Sequence, residues 1–265
     1  MPLTTPKANT TVAITGASSG IGAEIARCLA AKGFSTTLIA RRTDRLETLA
    51  AELRDKHGVA STTLACDVSD RAQRLALVES LNAGPTLVGL VNNAGFGTFG
   101  HVASADADRE REMVAVNIEA VHDLTIRLLP GMVERGEGAI LNTGSTAGAQ
   151  PLPNMATYAA SKAFVIAFSE GLSAELAGTG VSCTVLCPGP VKTEFADVAG
   201  SAGLEDSMPS IAVVGASEVA RQAVEGMLKG TRTVTPGFAN RLTAIAARIA
   251  PRSLVLPIAA KYTAR

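Results

Sequence analysis

Residues 11–33 read TVAITGASSGIGAEIARCLAAKG. The first five are apolar or β-branched and stop at Gly16, which is the pattern of a short buried strand. From Ile21 onward the apolar positions Ile21, Ile25 and Leu29 recur at helical spacing. Strand, tight turn and helix therefore follow one another within this stretch. The joint is Thr15-Gly16-Ala17-Ser18-Ser19-Gly20-Ile21-Gly22, where the pyrophosphate of a dinucleotide would sit in a doubly wound fold. Gly16 permits the sharp turn, Gly20 lets backbone approach phosphate, and Gly22 lets the helix pack closely on the sheet. The free N–H groups of the helix N-terminus carry a partial positive charge toward the anion. The expected contacts there are Gly16, Ser18, Ser19, Gly20, Ile21 and Gly22.

The same unit recurs outward from this joint. STTLIAR (35–41) is followed by a helix over 43–57, STTLACDV (61–68) by one over 70–82, and LVGLVNNAG (87–95) by one over 105–130. GAILNTGS (138–145) precedes a helix over 157–177, VSCTVLCPGP (181–190) one over 217–229, and RTVTPG (232–237) offers a last short strand. Strands alternating with helices predict an α/β fold: a Rossmann-type, doubly wound parallel sheet with helices on both faces. No linker or compositional break divides the series, so 1–265 is expected to be one domain. Within it, 1–10 is expected to be a flexible N-terminus, 191–215 a mobile substrate loop, and 238–265 a C-terminal appendage.

Composition narrows the function classes. Lys plus Arg equals Asp plus Glu at 24 each, Trp is absent and aromatics make up 3%, so neither the charge nor the stacking platforms of a nucleic-acid binder are present. Cys28, Cys66, Cys183 and Cys187 lie in apolar stretches without zinc-type spacing and read as reduced core residues of a cytoplasmic protein. His57, His101 and His122 have no metal-ligand spacing, and no metal site is expected. The first ten residues hold no apolar signal core, and no apolar run reaches the ~20 residues of a membrane span.

Nicotinamide-binding folds that take NAD place a carboxylate about 20 residues past the glycines, to bond the ribose 2′-hydroxyl. Here that place reads Ala40-Arg41-Arg42. Two guanidiniums suit a 2′-phosphate, so NADP is the expected cofactor.

Tyr158 and Lys162 stand four apart on a helix and share a face. A free phenol with a pKa of about 10 is a poor acid/base at neutral pH, and a fixed ammonium one turn away favours its ionised form. Ser145 ends the fifth strand at its carboxyl edge, where ligands bind in such sheets, and its hydroxyl can polarise a carbonyl. With TGxxxGxG and YxxxK in this order, the chain resembles the short-chain dehydrogenase/reductase family over about residues 11–195.

That resemblance implies hydride transfer between NADP(H) and a carbonyl or secondary alcohol, with Asn117, Ser145, Tyr158 and Lys162 as the catalytic set. Asn117 would hold a water linking Lys162 to solvent. It further implies Asp67 and Val68 at the adenine, and Asn93, Ala94 and Gly95 supporting the cofactor side of the sheet. Pro188, Gly189 and Val191 would lie over the nicotinamide, Thr193 at its carboxamide, and Lys162 at the ribose. Some NADP-preferring members carry a basic residue in the glycine turn where this chain has Ser19, which would soften the preference. A homodimer or homotetramer through helices 105–130 and 157–177 is implied in the same way.

Phe96, Ala147, Gly148, Leu152, Pro153, Met155, Pro190 and Phe195 flank this set, with Gln150 and Asn154 as polar exceptions, so a hydrophobic acyl-chain or steroid-like substrate is expected. A catalytically silent NADP-binding sensor or scaffold is the alternative, and its mark would be a broken catalytic set. Residues 241–265 carry Arg241, Arg248, Arg252, Lys261 and Arg265 and no acid. Three fates are open for this tail: a lid over the substrate loop, a subunit contact, or peripheral contact with an anionic membrane.

Overall fold

In a computed structural model of the chain, which describes residues 3, 5–195, 199–200 and 210–263, seven parallel strands form one sheet. They are β1 (Thr10–Thr15), β2 (Thr36–Ala40), β3 (Ser61–Ala65), β4 (Thr86–Asn92), β5 (Gly138–Thr143), β6 (Val181–Leu186) and β7 (Thr233–Val234). Their spatial order is β3-β2-β1-β4-β5-β6-β7, and every pairing is parallel. The order reverses between β1 and β4, so the crevice of this fold lies at their carboxyl ends. Ile14 of β1 stands beside Val91 of β4 there.

Alternation along the central strands feeds two cores. Val12, Ile14, Ala139 and Leu141 face one layer, packed under α1 (Gly20–Ala31), α2 (Thr43–His57) and, from further along the chain, the helix Ala216–Lys229. Ala13, Leu90 and Ile140 face the other, under α3 (Arg71–Ala83) and the helices Ala107–Val114, Ala120–Arg135 and Ala156–Glu175. We number these last four α4 (Ala107–Val114), α5 (Ala120–Arg135), α6 (Ala156–Glu175) and α7 (Ala216–Lys229), followed by α8 (Phe238–Ile249) and α9 (Arg252–Thr263). Asp70 caps α3 by accepting from the amides of Ala72 and Gln73, and left-handed glycines Gly58, Gly136 and Gly230 end α2, α5 and α7.

The helix expected over 105–130 differs in two ways. It is interrupted by a π-helical turn at Ala115–Glu119, which carries Asn117, and it continues past Pro130 to Arg135. Proline lacks the amide of a helix interior. The last turn persists because Leu128 and Met132 are buried in the second core. The expected loop 191–215 falls partly outside the described residues, at 196–198 and 201–209.

Near the N-terminus Leu3 is buried in the first core and the Lys7 ammonium pairs with Glu137. At the other end, α8 and α9 meet at Ala250-Pro251, while Pro257 lies inside α9. A buried polar chain ties the layers beneath the crevice. Asn92 Nδ2 donates to Asn142 Oδ1 at 2.9 Å and to Thr125 Oγ1 at 3.1 Å, and Asn142 Nδ2 donates to Ser169 Oγ at 2.9 Å.

Candidate active site

A cavity of about 750 Å³ opens along the carboxyl edge of the sheet. From the glycine turn it is lined by Gly16, Ser18, Ser19, Gly20 and Ile21, and from the ends of β2 and β3 by Arg41, Arg42, Asp67 and Val68. The segment after β4 adds Asn93, Ala94 and Gly95, the segment after β6 adds Pro188, Gly189, Val191 and Thr193, and Ser145, Tyr158 and Lys162 complete it. Of the expected site residues, Gly22 and Asn117 do not line the cavity but support residues that do.

The turn is shaped for a group that approaches backbone closely. Gly16 and Gly20 have φ of +67° and +54°, a region that side chains with a Cβ rarely adopt. A Cβ on Gly16 would lie 2.8 Å from Ala94 Cα, and one on Gly22 would lie 2.4 Å from the Gly16 carbonyl oxygen. Ser19, the N-cap of α1, makes no capping bond with its side chain, so the first amides of α1, at the cavity-lining Gly20 and Ile21, take no acceptor from it. Thr15 Oγ1 accepts from the amides of Asn93 and Ala94 at 3.0 and 3.1 Å, and Asn93 Nδ2 donates to the Thr15 and Gly16 carbonyls, so β1 and β4 are stitched together where the crevice starts. These residues fit a dinucleotide pyrophosphate.

The two arginines after β2 separate. Arg42 turns toward the glycine loop and donates to Ser18 Oγ at 3.1 Å and Ser19 Oγ at 2.8 Å, while Arg41 pairs with Glu112 at 3.2 Å and Asp67 at 3.6 Å. Asp67 accepts from both the amide and the hydroxyl of Ser69, and these bonds with the Arg41 guanidinium outweigh its burial and hold its carboxyl below the usual range.

At the other end, Ser145 hydrogen-bonds Tyr158, and the Ser145 hydroxyl is held by the Ala147 amide at 3.1 Å. Burial pushes the Tyr158 phenol up to about 12 and the Lys162 ammonium down to about 8, since each loses water around its charged form. Lys162 Nζ donates to the Thr143 carbonyl at 2.8 Å and lies 5.8 Å from the centre of the Tyr158 ring. Asn117 is fully buried on the π-turn: its Nδ2 donates to the Phe96 carbonyl at 2.9 Å and to Ser161 Oγ at 3.0 Å, and its Oδ1 accepts from the Phe96 amide. A Cβ on Gly95 would meet Asn117 Oδ1 at 3.0 Å and Lys162 Nζ at 3.2 Å, so Gly95 lies between the two side chains. π-turns recur at functional positions, and here the turn explains an asparagine with no local helical use.

The rest of the cavity is largely apolar. Phe96, Ala147, Leu152, Met155, Pro190 and Phe195 line it with Gln150, whereas Gly148, Pro153 and Asn154 do not. The Phe195 ring lies 5.3 Å from that of Tyr158. Helices α8 and α9 supply a further wall through Asn240, Ala244, Ala247 and Ala259.

Several contributors went unread in the sequence. Glu194 and Arg45 form an ion pair at the cavity edge. Arg74, 3% exposed, donates to the carbonyls of Val68 and Ser69 and to Asp123, and so fixes the Asp67-Val68 segment from below. The Asn240 side chain packs where a Cβ on Gly189 would be, 2.4 Å from its Oδ1. Only Arg74 left a signal, as a cation on the apolar face of a helix.

The model of the short chain dehydrogenase family matches residues 10–202. A sulfoacetaldehyde reductase of Chromohalobacter salexigens is 43% identical over 187 residues, 69% of this chain and 73% of that protein. A very-long-chain 3-oxoacyl-CoA reductase of Anas platyrhynchos is 35% identical over 190 residues, 70% of this chain and 61% of that protein. Among solved structures, a short-chain dehydrogenase from Sphingobium yanoikuyae in complex with NADPH has 34% identity and a TM-score of 0.81, over 89% of this chain and 92% of that one. The chain belongs to the short-chain dehydrogenase/reductase family, oxidoreductases that move hydride between a nicotinamide cofactor and a carbonyl or alcohol carbon.

Proposed function

We propose that the protein is an NADP-dependent reductase of apolar ketones in which Tyr158 is the proton donor. The observation that carries this reading is one cavity with Arg42 and Ser18 at one end and Ser145, Tyr158 and Lys162 at the other. Glycine-turn amides would hold the pyrophosphate, Arg42 and Ser18 the 2′-phosphate, Asp67 and Val68 the adenine, and Lys162 the nicotinamide ribose. Pro188, Gly189, Val191 and Thr193 would flank the nicotinamide. When bound, the reduced nicotinamide supplies the hydride. The solved relative that binds NADPH supports the same cofactor.

Ser145 and Tyr158 converge on one point, so both hydroxyls can bond a carbonyl oxygen held there. Burial favours the protonated phenol, which suits donation of a proton to the oxygen as the carbonyl is reduced. Lys162 then restores charge balance near the phenolate, and Asn117, through Phe96 and Ser161, holds the floor of the site. The intact set argues against a silent NADP sensor.

An apolar lining of Phe96, Leu152, Met155 and Phe195 favours a hydrophobic ketone such as a 3-oxoacyl thioester or a steroid-like ketone over a small sulfonated aldehyde. Reduction of a long-chain 3-oxoacyl thioester and of sulfoacetaldehyde, followed by NADPH absorbance, tests this. A kcat/KM at least ten-fold higher for the thioester is expected, and a better rate with sulfoacetaldehyde would overturn the substrate reading.

Among the described residues no helix is long and apolar enough to cross a membrane. On the outward side of α8 and α9, Phe238, Leu242, Ile245, Ile249 and Leu254 are exposed. With Arg241 and Lys261 beside them and no acid in 241–265, this face suits an anionic lipid surface better than a second copy, which would oppose like charges. Co-sedimentation with phosphatidylglycerol vesicles, lost in Ile249→Glu, is expected; no sedimentation at low salt overturns it. A homodimer or homotetramer through α5 and α6, where Ile126 and Phe164 are exposed, belongs to the same reading and is checked by light scattering. Four free cysteines agree with a cytoplasmic location.

A further inference from the structure

We propose that Glu194 sets the cofactor preference by competing with the 2′-phosphate for Arg42, an inference that rests on the 2′-phosphate reading above. Arg42 Nη1 donates to Glu194 Oε2 at 3.0 Å, and Arg45 Nη1 donates to Glu194 Oε1 at 2.6 Å. Each carboxylate oxygen thus holds one guanidinium. Arg42 directs its Nε and Nη2 donors at Ser18 and Ser19, with Nε 3.3 Å from Ser18 Oγ. A phosphate that takes two donors from Arg42 must therefore displace the carboxylate or a serine from at least one of them, and its negative charge is repelled by the carboxylate until that contact opens.

NAD(H) brings no such group. With it, Glu194 keeps Arg42, and neither guanidinium is left without an anion. The carboxylate thereby weakens binding of the phosphorylated cofactor alone and narrows the gap between the two. The two guanidiniums hold the Glu194 carboxyl down to about 2, so it is charged at any assay pH near neutrality.

Its place in the chain extends the effect. Glu194 stands between Thr193, whose methyl carbon lies 3.4 Å from where a Cβ on Gly20 would be, and Phe195, which packs on the Tyr158 ring. The contact that opens for the phosphate is thus made by the segment that borders the pyrophosphate turn and the catalytic phenol.

The pair is solvent-exposed, with Arg42 and Glu194 side chains 42% and 46% accessible, so its effect is modest. NADPH and NADH are titrated by cofactor fluorescence into the wild type, Glu194→Gln and Arg42→Ala. Glu194→Gln is expected to tighten NADPH by roughly two- to five-fold at low salt, less at high salt, with NADH unchanged. A wider NADPH-to-NADH ratio at unchanged thermal stability is a result that a merely structural role would not give. If Glu194→Gln leaves NADPH affinity unchanged or lowers it while Arg42→Ala still weakens NADPH, the competition is overturned and the 2′-phosphate reading stands. If Arg42→Ala leaves NADPH affinity untouched, the 2′-phosphate reading fails and takes the competition with it.

Discussion

Gly22→Ala adds one methyl group where the cavity's glycine turn meets α1. Its Cβ would lie 2.4 Å from the Gly16 carbonyl oxygen and 2.5 Å from Asn93 Nδ2. Heavy-atom contact needs roughly 3.5 Å, so helix and turn would have to separate by about 1 Å. Neither neighbour yields freely. Gly16 is pinned on its other side, since a Cβ there would meet Ala94 Cα at 2.8 Å, and Asn93 Nδ2 donates to the Thr15 and Gly16 carbonyls. Overpacking of this kind costs about 1–3 kcal/mol. Because the displaced backbone is the turn proposed to hold the pyrophosphate, NADPH affinity should fall by about ten-fold or more as well. Gly171→Ala is the control: it lies inside α6 with nothing within 4 Å of its added Cβ, and there alanine should stabilise by about 0.5–1 kcal/mol. Denaturant unfolding and NADPH titration read both variants. Gly22→Ala within two-fold of wild type in affinity and unchanged in stability would refute the close-approach reasoning.

Lys162→Met should abolish turnover yet raise stability at pH 7, because burial has lowered the ammonium to about 8 from its ordinary 10.5. Between those values the unfolded chain holds a proton that the folded chain has released, so wild-type stability rises with pH from about 8 to 10.5 and is lost as pH falls through about 8. The advantage of the methionine should therefore shrink across that window in urea unfolding, and a gap that widens would contradict the assignment. Arg74→Met removes the donor to Asp123 Oδ2 and to two backbone carbonyls while Arg127 still pairs with Asp123 Oδ1, so the loss is about 1–3 kcal/mol from the unsatisfied buried acceptors. Thermal unfolding checks it, and weaker adenine-nucleotide binding should accompany it through the loosened Asp67-Val68 segment.

How much was legible beforehand follows from where the information lies. The glycine spacing and the strand-helix rhythm are local properties, so the order of elements and the place of the glycine turn could be read directly. That Tyr158, Lys162 and Ser145 would meet in one cavity was readable because one helical turn and one strand end are local distances too. The separation of Arg41 from Arg42 was not, because it is decided by Glu112, Asp67 and Glu194, which lie far off in the chain. Nor was the π-turn at Asn117, since its register depends on bonds to Phe96 and Ser161. The tail showed its amphipathic pattern, but only the fold reveals that its inner face walls the cavity through Ala247 and Ala259.

The central claim is that Tyr158 donates the proton while the rest of the site holds the cofactor, and Tyr158→Phe tests it most directly. The phenyl ring keeps the contact with Phe195 and removes only the hydroxyl that bonds Ser145. Measured on an apolar ketone with NADPH, turnover is expected to fall by about 10²–10⁴-fold while the dissociation constant for NADPH stays within a few-fold of wild type. Turnover within a few-fold of wild type at unchanged cofactor binding would contradict the account.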